Sequence, residues 1–295
     1  MCKATVPQLG AGTLFQGQRE VLLLNTWGPI YVSAMSNMLL ELEDEALGML
    51  FPSASSEQTT ASFTIKHDTY SRLGDNEPRD LTLALLKKHH SLWGEFIYNA
   101  ARVMSDRIDK GEIKVAGRRV LELGAGAGLP GIIAALNGAS HTVISDYADE
   151  DLIRVIELNI KEHCTGNQSV AACGFTFGDR VDDLLGLSGG ARFDVVLMAD
   201  LLFNRSEHEK LLRTLHQVIV PVTGEAWCVF SHHDPLKAPK DLDFFDRAKR
   251  DFGFSVTRVG EEIRQSYPFV QRDGLDERRG VVNIYRLALP PPAET

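Results

Sequence analysis

Between Val120 and Gly131 the chain reads Val-Leu-Glu-Leu-Gly-Ala-Gly-Ala-Gly-Leu-Pro-Gly, and this run constrains the fold more than any other. A short apolar strand, Val120 to Leu123, enters a glycine-rich turn, and a helix of small residues is predicted from Pro130 to Gly138. Glycine permits a tight turn and lets a ligand touch the backbone. Proline in the first helical turn gives up no hydrogen bond, and the start of the helix presents unpaired N–H groups. The next strand, Thr142 to Asp146, ends on a carboxylate about 20 residues on, where it can accept hydrogen bonds from ribose hydroxyls. The arrangement specifies a nucleoside-containing ligand, but not which one.

Gly126, Gly128 and Gly131 match the dinucleotide pattern G-x-G-x-x-G, so spacing alone leaves an NAD-linked oxidoreductase open. Glu122 points elsewhere. It lies inside the strand, two residues before the turn, where a diphosphate would meet a negative charge. A carboxylate there suits a ligand carrying an amino group and a sulfonium, which favours S-adenosyl-L-methionine.

The flanking chain alternates strands with helices. Phe63 to His67 and Leu81 to Leu85 alternate like short strands on either side of the Asp75-Asn76-Glu77-Pro78 turn. Trp93 to Ile108 carries apolar residues at helical spacing. Asp151 to Cys164 and Glu207 to Val220 read as helices, and Phe244 to Phe252 as another. Phe193 to Ala199, Glu225 to Ser231, Ser255 to Val259 and the run after Gly280 read as strands. Such alternation builds βαβ units and a mostly parallel sheet. The nearly continuous apolar run Phe193 to Ala199 fits a strand covered on both faces.

Three further pieces carry a resemblance to a known family. Ser91-Leu92-Trp93-Gly94 precedes the glycine-rich turn. Asp146-Tyr147 is followed by Asp151-Leu152-Ile153 and Asn159. Ala199-Asp200-Leu201-Leu202-Phe203-Asn204-Arg205-Ser206-Glu207-His208 follows the long apolar strand. Together with the acidic residue before G-x-G-x-G, these resemble seven-strand, class I S-adenosylmethionine-dependent methyltransferases. Among them the chain is similar to the fungal enzymes acting on translation elongation factor 1-alpha, a group long labelled nicotinamide N-methyltransferase-like. The resemblance runs from about Leu39 to Leu287. It implies a Rossmann-like, doubly wound α/β fold with a seven-stranded, mostly parallel sheet, helices on both faces and one antiparallel strand near the C-terminus.

The resemblance also implies an S-adenosyl-L-methionine site contacted by Trp93, Gly124, Ala125, Gly126, Asp146, Tyr147, Phe177 and Ala199, to which the strand argument adds Glu122. Phe177 stands where the family carries a tryptophan. The implied substrate is the N-terminal glycine or adjacent lysine of elongation factor 1-alpha, with a small amine of nicotinamide type as the alternative. The implied catalytic set is Asp200, Phe203 and Asn204: Asp200 orients the incoming amine and Phe203 offers its ring face to the cationic methyl group. Pattern alone leaves open that Asp200 merely caps the following helix, that Phe203 and Trp93 are core, or that the fold is a non-catalytic binding module. His232-His233-Asp234 reads as a solvated loop after a strand rather than as a base or metal site.

Composition excludes some partners. A formal net charge of −9 disfavours direct nucleic-acid binding, which needs cations facing phosphates, and suits a basic protein partner. The four cysteines (Cys2, Cys164, Cys173 and Cys228) form no C-x-x-C pair, so no metal site is expected. No apolar run reaches the roughly 20 residues of a membrane span, and no signal peptide is evident, so a cytoplasmic location is expected; a monomer is expected as well. The domain reading is a poorly ordered arm at 1–38, an extension packing on the catalytic domain at 39–92, the methyltransferase domain at 93–289 and a disordered tail at 290–295.

Overall fold

The computed structural model describes residues 63–73, 80–87, 96–166, 168–265 and 274–291, all within the unit Ala54–Thr295. The readings made for the N-terminal arm, for residues 39–62 of the extension, for the turn at 75–78, for Trp93 itself and for residues 292–295 lie outside the described residues.

A hairpin of β1 (Ile65–Ser71) and β2 (Asp80–Leu86) pairs antiparallel, Ile65 against Leu86 and Ser71 against Asp80. After it come α1 (Asn99–Asp109), β3 (Arg119–Leu123), α2 (Leu129–Leu136), β4 (His141–Asp146), α3 (Glu150–His163), β5 (Val170–Gly174) and α4 (Asp182–Leu187). The chain continues through β6 (Val195–Ala199), α5 (His208–Val218), β7 (Glu225–Ser231), α6 (Ala238–Phe252), β8 (Ser255–Ile263), α7 (Asp276–Arg279) and β9 (Val281–Ala288). The seven-stranded sheet has the order β5-β4-β3-β6-β7-β9-β8. Strands β3 to β7 pair in parallel, and β9 runs antiparallel to both its neighbours. This is the Rossmann-like, doubly wound α/β sheet expected from the sequence, with its antiparallel strand after Gly280.

Successive side chains of a strand face opposite sides, and here both sides are core. Val120, Val195 and Leu197 join Val103, Met104, Ile132 and Ile133 of α1 and α2 on one face. Leu121, Leu123, Val196 and Met198 join Leu211, Leu215, Phe244 and Phe245 of α5 and α6 on the other. The chain steps outward from β3 through β4 to β5, then crosses back to β6 and β7. The reversal between β3 and β6 is the switch point, where sheets of this kind open a crevice at the C-terminal strand ends.

Several elements depart from the sequence reading. β5 and α4 were not anticipated. Val-Ala-Ala-Cys-Gly has only one β-branched residue, and β5 is a partly exposed edge strand. Six residues are too few for a helical period to show in α4. α6 starts six residues earlier than Phe244, at Ala238, with a proline in its first turn. Phe96 to Tyr98 are not helical; α1 begins after Tyr98, whose backbone is extended. α3 is locally self-consistent: the Asp149 carboxylate accepts from the N–H groups of Asp151 and Leu152, acidic residues fill its first turn, and Lys161 and His163 lie in its last.

Polar groups fasten the hairpin to the catalytic fold. Asp109 of α1, whose side chain is wholly buried, accepts from Arg72 Nη2 at 2.8 Å, Asn137 Nδ2 at 2.8 Å and the Leu73 N–H at 3.2 Å. The Tyr70 hydroxyl donates to Asp106 at 2.9 Å, and burial beside that carboxylate pushes its pKa well up. Asp109→Ala removes the acceptor at the centre of this cluster. It is expected to lower the unfolding free energy by about 3–5 kcal/mol, the range for breaking a buried pair, in urea denaturation. An unchanged midpoint would show that the apolar contacts hold the hairpin alone.

Candidate active site

The glycine-rich turn after Leu123 is shaped by different demands at each glycine. Gly124 (φ +61°) lies against Leu201, and a Cβ there would run into the Leu201 side chain. At Gly126 (φ +56°) a Cβ would meet nothing within 4 Å, so its backbone faces open space. At Gly131 a Cβ would stand 2.6 Å from Ile144 and 2.7 Å from Glu122 Oε2. The absent Cβ of Gly131 is what admits the Glu122 carboxyl to the first turn of α2.

Glu122 is 1% exposed, and its Oε2 accepts from the Gly131 N–H at 2.8 Å. Burial raises its pKa to about 8; the Gly131 hydrogen bond opposes the shift and the Asp146 charge adds to it. In this structure Glu122 therefore pins the start of α2 to β3. A carboxyl largely neutral below pH 8 would attract a sulfonium less strongly than the ionised group pictured from the sequence.

Asp146, at the end of β4, stands across the same turn. Its Oδ2 accepts from the Gly126 N–H at 2.6 Å and its Oδ1 from the Tyr147 N–H at 2.6 Å. The Ala125 N–H donates to the Ser145 carbonyl at 3.0 Å, and the Ser145 hydroxyl to the Glu122 carbonyl at 2.8 Å. Asn159 braces the turn from behind, donating to the carbonyls of Ala127 and Ala84, each at 2.9 Å, and accepting from the Ala84 N–H at 2.7 Å. Tyr147 is exposed beside Asp146. The Phe175 N–H donates to the Asp146 carbonyl at 2.7 Å, which starts the turn carrying Phe177 at this strand end; Phe177 is partly buried. A carboxylate offers about four acceptor directions, so Asp146 can hold the turn and still receive ribose hydroxyls. The space over Gly126 beside that carboxylate is open, so Gly124, Ala125, Gly126 and Asp146 could hold a nucleoside there.

The other half of the site leaves β6. Ala199 pairs with Val229 of β7, and the next residue, Asp200, adopts φ +59°. A residue with a side chain rarely takes that conformation, and such strain gathers at functional sites. Asp200 is 9% exposed. Its Oδ1 accepts from the Ser231 N–H at 3.1 Å, and its Oδ2 lies 3.1 Å from His233 Nε2. Asp200 does not cap the following helix: the 3-10 turn Arg205–Glu207 begins at Asn204 without a side-chain cap. Nor is Phe203 buried core. It is half-buried and stacks on the His233 ring, centroids 4.7 Å apart and planes 8° apart. The Asn204 Oδ1 accepts from the Ser206 hydroxyl at 2.7 Å.

The structure thus brings Glu122, Gly124, Ala125, Gly126, Asp146, Tyr147, Phe177, Ala199, Asp200, Phe203 and Asn204 to the C-terminal ends of β3 to β6 or the loops that follow them; Trp93 lies outside the described residues. The reading of His232-His233-Asp234 as a solvated loop is corrected. The His232 and His233 side chains are only 14% and 11% exposed, and each meets a carboxylate. Tyr98 was also missed, although its ring stacks with His233 at 6.3 Å. The available signal was two histidines directly after a strand that would pair with the one ending at Asp200.

A seven-stranded sheet with this switch point and this glycine turn, and with β9 inserted antiparallel between β7 and β8, matches the Rossmann-like fold of class I methyltransferases. The profile of a family described as lysine methyltransferase matches residues 78–251. A protein N-terminal and lysine N-methyltransferase of Schizosaccharomyces pombe is 35% identical over 222 residues, 74% of this chain and 86% of that one. The protein of the same description in Yarrowia lipolytica is 35% identical over 231 residues, 72% of this chain and 83% of that one. A solved structure from Streptococcus mutans, described as a SAM-dependent methyltransferase, superposes with a TM-score of 0.52 at 11% identity, covering 75% of this chain and 55% of that one, a likeness of fold. The chain belongs to the lysine methyltransferase family. It is a protein methyltransferase, and S-adenosyl-L-methionine, expected from the motif, is the cofactor of the class.

The raised pKa of Glu122 makes stability depend on pH. Between its ordinary value of 4.5 and about 8 the folded chain keeps a proton that the unfolded chain has released. The contribution is complete below pH 4.5 and is lost as pH rises towards 8. Glu122→Gln should flatten that decline, gaining on the wild type as pH climbs from 5 to 9 in thermal melts. Parallel curves would show that Glu122 is ionised in the folded state at neutral pH.

Proposed function

We propose that this chain methylates the N-terminal glycine, the adjacent lysine, or both, of translation elongation factor 1-alpha, as a monomer in the cytoplasm. The observation that carries the chemistry is Asp200: a carboxylate at a strained strand end, across the β3/β6 switch point from Asp146 and flanked by the Phe203 ring. The choice of an N-terminal or lysine amine as acceptor is supported by relatives described as protein N-terminal and lysine N-methyltransferases, and the choice of the factor by the sequence resemblance. Among the described residues no helix is long and apolar enough to cross a membrane.

S-adenosyl-L-methionine, when bound, supplies a methyl group already activated on a sulfonium. The protein's own work is to align and desolvate an amine. Asp146 and the backbone at Gly126 would hold the ribose, with Phe177 beside the base and Trp93 assigned by resemblance. Asp200 would receive the N–H groups of the incoming amine, with Asn204 next to it and Phe203 presenting a ring face to positive charge. An α-amino group, with a reference pKa of about 7.7–8.0, sheds its proton near neutrality; a lysine near 10.4 must first lose its proton to solvent, which desolvation favours, and Asp200 would then orient the neutral amine.

The test is incubation with labelled S-adenosyl-L-methionine and elongation factor 1-alpha lacking methylation, followed by mass-spectrometric mapping. Label on the first residues is expected. Turnover of nicotinamide with the factor unlabelled would assign a small-molecule acceptor instead. Asp146→Ala should weaken binding of S-adenosylhomocysteine at least tenfold by calorimetry, since hydrogen bonds to a charged group contribute about 1.5–3 kcal/mol. Asp200→Asn should leave that binding intact and lower kcat by about 10²–10⁴-fold.

A further inference from the structure

His232 and His233 are neighbours in sequence but serve different carboxylates. His232 Nδ1 lies 2.7 Å from Asp241 of α6, which also accepts from Arg205 Nε at 2.8 Å. His233 Nε2 lies 3.1 Å from Asp200 Oδ2. The loops leaving β6 and β7 are therefore fastened to each other at two points, and only one of these involves the residue assigned to the amine. The His233 ring plane is set by Phe203 at 4.7 Å and Tyr98 at 6.3 Å, and its carbonyl accepts from Arg279 Nε at 3.0 Å. Arg279 is 5% exposed.

A carboxylate turns easily about its last torsion, whose preferences are broad. Asp200 is held at both oxygens, Oδ1 by the Ser231 N–H and Oδ2 by His233. Two of its roughly four acceptor directions are taken, and the others then point in a defined direction. A misplacement of about 1 Å at a reacting amine can lower the rate about 10²-fold.

From this geometry we propose that His233 is a positioning residue of the methyl-transfer site: through Nε2 it sets the direction in which the Asp200 carboxylate receives the substrate amine. This rests on the assignment of Asp200 to the amine. The stack on Phe203 and Tyr98 serves the same end by keeping Nε2 aimed at Oδ2. The second fastening, His232–Asp241–Arg205, holds the loop as a whole without touching Asp200.

Two replacements separate a hydrogen-bonding role from a packing one. His233→Phe keeps an aromatic ring beside Phe203 and removes Nε2. His233→Gln removes the ring but keeps an N–H able to reach a carboxylate. Both are assayed in the full chain with S-adenosyl-L-methionine and unmethylated elongation factor 1-alpha, or with nicotinamide should the factor remain unlabelled. His233→Phe is expected to lower kcat about ten- to hundredfold, with KM for S-adenosyl-L-methionine unchanged, and His233→Gln to recover most of that loss.

The opposite order, with Phe near wild type and Gln impaired, overturns the proposal, as does wild-type kcat in both. Loss of S-adenosylhomocysteine binding in His233→Phe also overturns it, because a packing role would then account for the residue. Asp200→Asn run alongside separates the two assignments. If it is impaired while His233→Phe is not, only the role of His233 falls. If it turns over like wild type, the assignment of Asp200 to the amine falls first.

Discussion

Strands β3 and β6 are covered by helices on both faces, and that constraint places every polar group of the site. A buried polar atom without a partner costs several kcal/mol or less depending on its surroundings, about 1–3 in protein cores, so the interior of these strands is apolar. Polar side chains collect where the strands end: Asp146 as the last residue of β4, Asp200 just after β6, Ser231 as the last residue of β7 and His232 and His233 just after it. Parallel pairing keeps those ends side by side, Leu123 opposite Ser145 and Met198, and Ala199 opposite Val229. Glu122 is the exception inside a strand. It is tolerated because Gly131 brings an N–H to it and because its carboxyl can remain protonated.

The two halves of the site are built differently. The half proposed for the nucleoside is mostly backbone: a glycine turn whose Gly126 N–H is held by the Asp146 carboxylate and whose rear is braced by Asn159. That same asparagine hydrogen-bonds both backbone groups of Ala84 in β2, so the hairpin and the turn share one support. The half proposed for the amine is mostly side chain: two carboxylates, two histidines and an arginine tie the loops after β6 and β7 to the start of α6. Backbone recognition suits a ligand common to a large class. Side-chain recognition can change with the acceptor without disturbing the sheet.

Much of this could be read along the chain. The glycine turn and Asp146 are separated by a single helix and strand, and their spacing is dictated by the length of one βα unit, so both their existence and their meeting were visible. Asp200 stood out because a charged residue ends an otherwise apolar strand. What stayed hidden lacked a local pattern. β5 is strand because β4 offers it an edge, not because Val-Ala-Ala-Cys-Gly favours extension. His232 and His233 looked like a polar loop because their partners, Asp241 and Asp200, are brought to them only when α6 packs and β6 pairs with β7.

The sequence by itself determined most of the strands and helices, though not β5 or α4, the position of the glycine turn and the residue types at the strand ends, since each follows from neighbours a few positions apart. Only the tertiary structure decided which carboxylate meets which histidine, that Glu122 is satisfied by Gly131, and that Asp200 takes a left-handed backbone conformation. Those outcomes depend on parallel register and on helices packing from both faces, and no local periodicity encodes them, whether the partners lie nine positions apart, as Glu122 and Gly131, or thirty-three, as Asp200 and His233.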